Sequence, residues 1–416
     1  MTEYYSVKMD FFGNSDPEKL VKEFGSPLYV YNEKILRQKC RDMKNLVDYP
    51  YFIPNYSIKA NSNLQIIKTV REEGLRADAM SAGEIQLLLH AGYKPEELFF
   101  VPNNVSLEEL KYAVDNGVLV SVDSLSQLEL LGKINRGGKA AVRFNPGVGA
   151  GHHEKVVTAG KKTKFGVNTD CVSQVKEIAK KYDMRICGIN QHIGSLFMEG
   201  DSYIEGVKSI LAVAQQFEDI DFVDMGGGFG IPYRKQEGQE ALDLASFREK
   251  LTAVLVQWTE KYGKKILFKS EPGRYIVAES GILLGTVYAT KSNYGNRYAG
   301  TDLGFNVLAR PVMYDSHHDI EVYRNGKPQN QGATEEVTVV GNICESGDIV
   351  AKHRQLPAVE EGDILGIMDA GAYGFAMSSN YNMRLRPAEV MIKENGEAVL
   401  IRRRDTFEDL IAPYNI

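Results

Sequence analysis

Up to about residue 271, short strand-like apolar runs alternate with longer amphipathic stretches. The runs fall at 51–59, 76–80, 98–102, 119–124, 140–145, 185–192, 220–226 and 266–271, after a preliminary PLYVY at 27–31. Between them lie segments such as SLEELKYAVDNG and CVSQVKEIAKKYD, whose apolar residues recur at the three-to-four spacing of a helix buried along one face. Eight strand-then-helix repeats predict an α/β fold. A TIM-type (β/α)8 barrel is the simplest closed form, and a doubly wound sheet has the same alternation. Beyond residue 275 the period changes: GILLGTVYAT, DIEVYRNGKP, EEVTVVGNI and ENGEAVLIRR read as strands, and Asn-Gly pairs at 325–326 and 395–396 read as hairpin turns. The predicted organisation is a barrel over 27–272 and a β-rich domain, barrel- or sandwich-like, made from 1–26 and 273–416.

Composition narrows this little. The 416 residues are 43% hydrophobic and 25% charged, an ordinary globular balance. A formal net charge of −6 argues against a nucleic-acid partner, which calls for a basic face. No apolar run approaches the ~18 residues that span a bilayer, and MTEYYSVKMDFFG lacks the basic and apolar regions of a signal peptide. Cys40, Cys171, Cys187 and Cys344 are far apart, without CxxC or metal spacing, as expected of free thiols in a reducing cytoplasm.

In a barrel of this kind, chemistry sits where strands end and βα loops begin. The predicted strand ends carry Lys59, Asp78 (followed by SAGE), Asp123, Arg143 with Asn145, and His192 in QHIGS; the last two run into GGGFG at 226–230 and EPGR at 271–274. Taken singly, each has an ordinary structural explanation: a surface lysine, a core histidine, or an ion pair of Glu271 with Arg274 worth ~0–1 kcal/mol. Their shared position is what those separate explanations leave out. In GGGFG, glycines turn backbone N–H groups toward an anion. It is neither a Walker A loop nor GxGxxG, since Ile231 stands in the sixth place. Ser195 adds a hydroxyl.

A phosphate cradle, a lysine, a histidine and a carboxylate around one cavity point to pyridoxal phosphate. The lysine amine binds the cofactor's aldehyde once it has lost a proton, which a dry pocket favours. Glu271 is placed to partner the pyridine nitrogen and His192 to lie on the ring face.

At this point the residues resemble a known family. YSIKAN, ADAMSAGE, RFNPG, TKFG, HIGS, GGGFGIPY, EPGR, RPVMY, CESGD, GAYGFAMSSNYN and IRRRDTFEDL are similar to stretches of the fold-type III pyridoxal-phosphate decarboxylases, and among them the diaminopimelate decarboxylases of lysine biosynthesis. The resemblance implies an alanine-racemase-like architecture, pyridoxal 5'-phosphate as cofactor, and loss of one carboxylate from meso-2,6-diaminopimelate to give L-lysine. It implies a covalent cofactor link at Lys59 and cofactor contacts from Asp78, Arg143, His192, Ser195, Gly227, Gly228, Glu271, Gly273, Arg274 and Tyr373. Substrate would meet Arg274, Arg310, Tyr314, Glu345 and Tyr373; Cys344 and Glu345 would reach a neighbouring subunit's site in a homodimer, with Cys344 as proton donor. No metal is implied.

Two departures bear on substrate choice rather than reaction type: HIGSLFMEG differs after its serine, and TKFG replaces a serine-containing form. The glycine- and lysine-containing segment 147–166 reads as a mobile lid, with His152 and His153 as solvent or lid contacts. Three alternatives stand beside the main reading: a decarboxylase for another amino acid or a carboxylated polyamine such as carboxynorspermidine, an alanine-racemase-type enzyme, and a non-catalytic pyridoxal-phosphate-binding regulator. Glu271 argues against the racemase, which sets an arginine against the pyridine nitrogen.

Overall fold

The computed structural model describes residues 3–147, 150–151 and 163–414. The chain divides into two compact units, one of 39–231 and 241–276, the other of 1–38, 232–240 and 277–416.

The first unit is the eight-stranded barrel. Its strands are β1 (Phe52–Ser57), β2 (Arg76–Ala79), β3 (Leu98–Phe100), β4 (Leu119–Val122), β5 (Lys139–Asn145), β6 (Arg185–Asn190), β7 (Phe222–Asp224) and β8 (Leu267–Ser270). Each is parallel to its neighbours, β8 pairs with β1, and β4 pairs with β5, so the ring closes. Closure excludes the doubly wound alternative. Helices separate the strands where the three-to-four periodicity placed them. The helix Leu107–Asp115, for example, starts at Ser106 with a capping box closed by Glu109. Along β8 the side chains alternate across the barrel wall: Phe268 turns outward onto Trp258 and Tyr49, and Lys269 lies over the rings of Phe99 and Phe222.

Most of the expected strands overran the observed ones, mainly at their C-terminal ends. The run 51–59 stops as a strand at Ser57, and 185–192 stops at Asn190. The backbone leaves the ladder there to form the mouth loops, so Lys59, Asp123, His192 and Glu271 sit just past the strands rather than on them.

The second unit is built on a ten-stranded sheet. Its Asn325–Gly326 turn has φ of 52° and 71°, the left-handed pair a tight hairpin needs, and it joins Ile320–Arg324 to Lys327–Pro328. PLYVY belongs here and not to the barrel segment 27–272: the strand Leu28–Asn32 runs antiparallel to Gly281–Asn293 and parallel to Ala388–Ile392. Its apolar residues, with Phe11, Phe12, Leu20, Ile282 and Val390, form this unit's core. Residues 232–240 also join it, through Lys235 on Asp369 at 2.7 Å and Gln236 N–H on Asp319 at 2.9 Å. Among the described residues no helix is long and apolar enough to cross a membrane, and no cluster of His, Cys, Asp or Glu is placed to hold a metal ion. No disulfide joins the four cysteines among the described residues.

Candidate active site

Lys59 occupies a one-turn 3-10 helix, Ile58–Ala60, directly after β1. Its neighbours Ile58 and Ala60 are fully buried, so the turn is anchored on both sides of a half-buried lysine. Tyr56 Oη donates to the Asn61 carbonyl at 2.8 Å, and Ser57 N–H donates to the Pro272 carbonyl at 3.1 Å. Those bonds fix the exit of β1 to the loop that carries Glu271. Gly273 completes the fit: a side chain there would press on Ser57 and Ala60.

Around this amine lie carboxyls whose burial favours their neutral forms, against the pull of the Lys59 charge. Ser57 and Asp78 are register partners on β1 and β2, and Ser57 Oγ donates to Asp78 Oδ2 at 2.9 Å. Burial pushes the Asp78 carboxyl well up, nearby Glu271 pushes the same way, and the Lys59 charge pulls back down. Burial likewise raises Glu271, and Lys59, Arg143 and Lys269 draw it down. Glu84, which caps its own helix by accepting from Met80 N–H at 2.6 Å, also feels Lys59. Arg143, 7% exposed on β5, is opposed by burial and supported by Glu271 and Asp123, and its guanidinium lies 4.6 Å from the Phe165 ring centroid. Lys59, Asp78, Arg143 and Glu271 therefore share one electrostatic neighbourhood at the C-terminal mouth of the barrel.

The glycine loop closes that neighbourhood. Gly226 and Gly228 hold φ of 75° and 108°, values that favour glycine. Gly226 N–H donates to Asp224 Oδ1 at 2.9 Å, and its carbonyl accepts from Glu271 N–H at 3.0 Å. Gly227 N–H donates to His192 Nδ1 at 3.1 Å, which leaves the neutral imidazole's proton on Nε2. Burial holds that imidazole well below its ordinary pKa, with Lys59 and Arg143 adding to the effect, so the ring is neutral. Arg274 Nη2 donates to Ser195 Oγ at 3.0 Å, bringing a cation and a hydroxyl together beside the loop.

Fit to pyridoxal phosphate can be tested on this geometry. Glu271 Oε1, Asp78 Oδ1 and Arg143 Nη2 are buried without a hydrogen-bond partner among the described residues, as expected where a bound group completes the bonding. Any side chain at Gly227 would fall onto the Glu271 carbonyl, so the loop offers bare backbone. A half-buried amine, an open carboxylate, a neutral ring and a hydroxyl–guanidinium pair suit the aldehyde, pyridine nitrogen, ring face and phosphate of that cofactor. Sequence reading passed over Ser57 and Phe165; their roles follow from β-strand register and from the fold of the segment after β5, which no local pattern encodes.

The remaining sequence-derived residues lie in the second unit. Arg310 is 2% exposed, with its guanidinium 4.5 Å from the Tyr233 ring centroid and 2.7 Å from His318 Nε2. Tyr314 ends the same short helix, Arg310–Tyr314. Cys344 is exposed, its N–H donating to Asn382 Oδ1 at 2.9 Å, and Glu345 accepts from Tyr381 Oη at 2.7 Å. Tyr373 has φ of 56°, unusual for an aromatic residue. His152, His153 and most of the expected lid 147–166 lie outside the described residues.

Comparison with known proteins agrees with this chemistry. The family described as "Pyridoxal-dependent decarboxylase, pyridoxal binding domain" matches residues 33–278. The diaminopimelate decarboxylase of Methanothermobacter thermautotrophicus is 41% identical, over 97% of this chain and 95% of its own. That of Escherichia coli K12 is 34% identical, over 95% of each. Among solved structures, diaminopimelate decarboxylase from Helicobacter pylori complexed with L-lysine superposes with a TM-score of 0.87 at 30% identity, over 95% of this chain and 98% of that one.

Proposed function

The chain belongs to the diaminopimelate decarboxylases of the pyridoxal-dependent decarboxylase family, and from that premise we propose that it converts meso-2,6-diaminopimelate to L-lysine and carbon dioxide, the last step of lysine biosynthesis. It is a carboxy-lyase that works with pyridoxal phosphate. The observation that carries the reading is the grouping of Lys59, Asp78, Arg143, His192 and Glu271 beside the triple glycine at the barrel mouth.

When bound, pyridoxal phosphate supplies a conjugated ring that accepts the electron pair left behind as carbon dioxide departs. The chain's own groups do the rest. The Lys59 amine would hold the cofactor's aldehyde. Glu271, with one buried oxygen open and with Lys59 and Arg143 favouring its charged form, would hold the proton of the pyridine nitrogen. Ser195, Gly227, Gly228, Gly273 and Arg274 would hold the phosphate. His192, neutral and pinned by Gly227 N–H, would steady the ring face without repelling it.

Recognition of a substrate with an ammonium and a carboxylate at its far end calls for a cationic fork and an anion. We assign those roles to Arg310 and Glu345, with Tyr314 and Tyr373 as further substrate contacts, while an arginine would repel the bare cationic tail of ornithine. A substrate panel tests this. Diaminopimelate should be turned over with lysine as product, and lysine, ornithine, arginine and carboxynorspermidine at least about 100-fold more slowly. Equal turnover of ornithine would remove the assignment.

A homodimer with Cys344 and Glu345 serving the neighbouring subunit follows from the same motifs, with Cys344 returning a proton to the reacting carbon. Lys59→Ala and Cys344→Ala proteins, each impaired alone, should regain about a quarter of native activity when mixed and allowed to exchange subunits, because half the dimers then hold one intact site. No recovery despite exchange would place each site within one chain. Four cysteines with no disulfide among the described residues favour a reducing compartment such as the cytoplasm.

A further inference from the structure

The arginine assigned to the substrate's far carboxylate is itself held by a histidine. Arg310 opens the short helix Arg310–Tyr314, and His318 lies just before the strand Ile320–Arg324 of the same unit. Both are buried, at 2% and 3% exposure. Arg310 Nη1 is 2.7 Å from His318 Nε2, and His318 Nδ1 is 2.7 Å from the Met368 carbonyl. The Tyr233 ring braces both groups: its centroid is 4.5 Å from the guanidinium, and it meets the imidazole edge-on with centroids 5.3 Å apart.

These contacts leave the imidazole one form. A guanidinium only donates, so Nε2 must accept with a lone pair; a carbonyl only accepts, so Nδ1 must carry the proton. His318 is therefore the neutral Nδ1–H tautomer. Its anchor is firm. Met368 is 2% exposed, directly follows the strand Ile364–Ile367, and donates its N–H to the Asp319 carbonyl at 3.0 Å. The next residue, Asp369, is clamped by Lys235 at 2.7 Å. The adjacent His317 has different partners, Asp319 Oδ1 and Arg354 Nη1, each at 2.9 Å, so the two histidines are not interchangeable. Arg310 also reaches Ser316 Oγ, at 3.4 Å, and His318 supplies the shorter of these two bonds.

We propose that His318 is the positioning residue for substrate recognition: its Nε2 lone pair, set by the Nδ1–H bond to Met368, fixes the Arg310 guanidinium in the orientation that receives the substrate's far carboxylate. The proposal rests on the assignment of Arg310 to that carboxylate. In this role His318 needs no contact with substrate and moves no proton. It removes the freedom of a long side chain before binding, so the ordering cost is not charged to the ligand. It thereby acts on affinity for carboxylate-bearing ligands rather than on the chemical step.

Substitutions that keep one ring nitrogen's function at a time test this on the holoenzyme. Glutamine sets its side-chain oxygen near the Nε2 position, and asparagine sets its amide near Nδ1. His318→Asn and His318→Phe should raise KM for diaminopimelate at least about tenfold with kcat within about threefold, and His318→Gln should recover most of the loss. The inhibition constant of L-lysine, which keeps the far carboxylate, should rise in parallel; that of cadaverine, the same chain without it, should not. Nitrogen-15 spectra of the native protein should show His318 protonated on Nδ1 and bare at Nε2. Arg310→Met separates the two claims. A raised KM there, with KM unchanged in His318→Asn and His318→Phe, overturns the role of His318 alone, whereas an unchanged KM in Arg310→Met overturns the substrate assignment with it. A proton on Nε2, equal impairment of the asparagine and glutamine variants, or parallel loss of lysine and cadaverine affinity would also overturn the proposal.

Discussion

Lys59→Ala is expected to lower carbon dioxide release from diaminopimelate by about 10³-fold or more and to abolish the near-visible absorbance of the bound cofactor. The size of the effect follows from position. Lys59 stands on a turn whose flanking residues are buried and whose backbone is tied to Pro272 and Asn61, so its amine is delivered to one place. The other lysine felt by Glu271 is Lys269, but its ammonium is engaged over the Phe99 and Phe222 rings. It is not placed to take over. Removing the Lys59 charge has a second consequence, because that charge draws the Asp78 and Glu271 carboxyls down. Both should rise further in the variant, which a carbon-13 titration of the carboxyl groups can follow. Absorbance and turnover measured on the same preparation separate loss of cofactor from loss of chemistry. Turnover equal to the native protein's would remove Lys59 from the mechanism.

Much of this was legible in the sequence because barrel strands are short, apolar and separated by helices with clear periodicity. Polar residues at the ends of such strands therefore stand out, and Lys59, His192 and Glu271 are singled out that way. The same feature blurred the boundaries. Apolar character continues through Ile58 and Ile193 although the ladder has ended, because both are buried in the mouth loops rather than in the sheet. In the second unit the reading was thinner. Ala388–Ile392 is buried at every position and so shows no alternation; even Glu389 is inside, accepting from Tyr31 Oη at 2.8 Å. Ile349–Pro357 is polar on its exposed face and interrupted by His353 at φ 50°. PLYVY, preliminary to the eight barrel strands, fell within the segment 27–272 because its partners, such as Leu284 and Ala388, are far along the chain, and pairing at that separation leaves no local mark. Lys269 was invisible for a related reason: a lysine mid-strand acquires meaning only when the barrel closes around it.

Gly227→Ala should be the most damaging single methyl in the barrel mouth. The residue's φ is not the difficulty; space is. A Cβ built there would collide with the Glu271 carbonyl oxygen and lie 2.8 Å from the carbonyl carbon, and these backbone atoms have no rotamer through which to escape. Nor can the two loops part freely, since Met225 N–H donates to the Lys269 carbonyl at 2.9 Å and Glu271 N–H to the Gly226 carbonyl at 3.0 Å. Relief requires breaking those bonds or displacing Glu271, and the shift also carries the Gly227 N–H away from His192. Overpacking against backbone of this kind should cost about 3 kcal/mol or more in stability and weaken cofactor binding at least tenfold. Gly83→Ala provides the contrast. It lies on the exposed face of the helix Ala82–His90, where a Cβ would meet only Ser81 Oγ at 3.8 Å. There the same change should stabilise by about 0.5–1 kcal/mol through helix propensity alone. Denaturant unfolding of both proteins, with a cofactor titration of each, compares one added methyl in two settings. A Gly227→Ala protein as stable and as rich in cofactor as the native chain would show that the loop is not packed against Glu271.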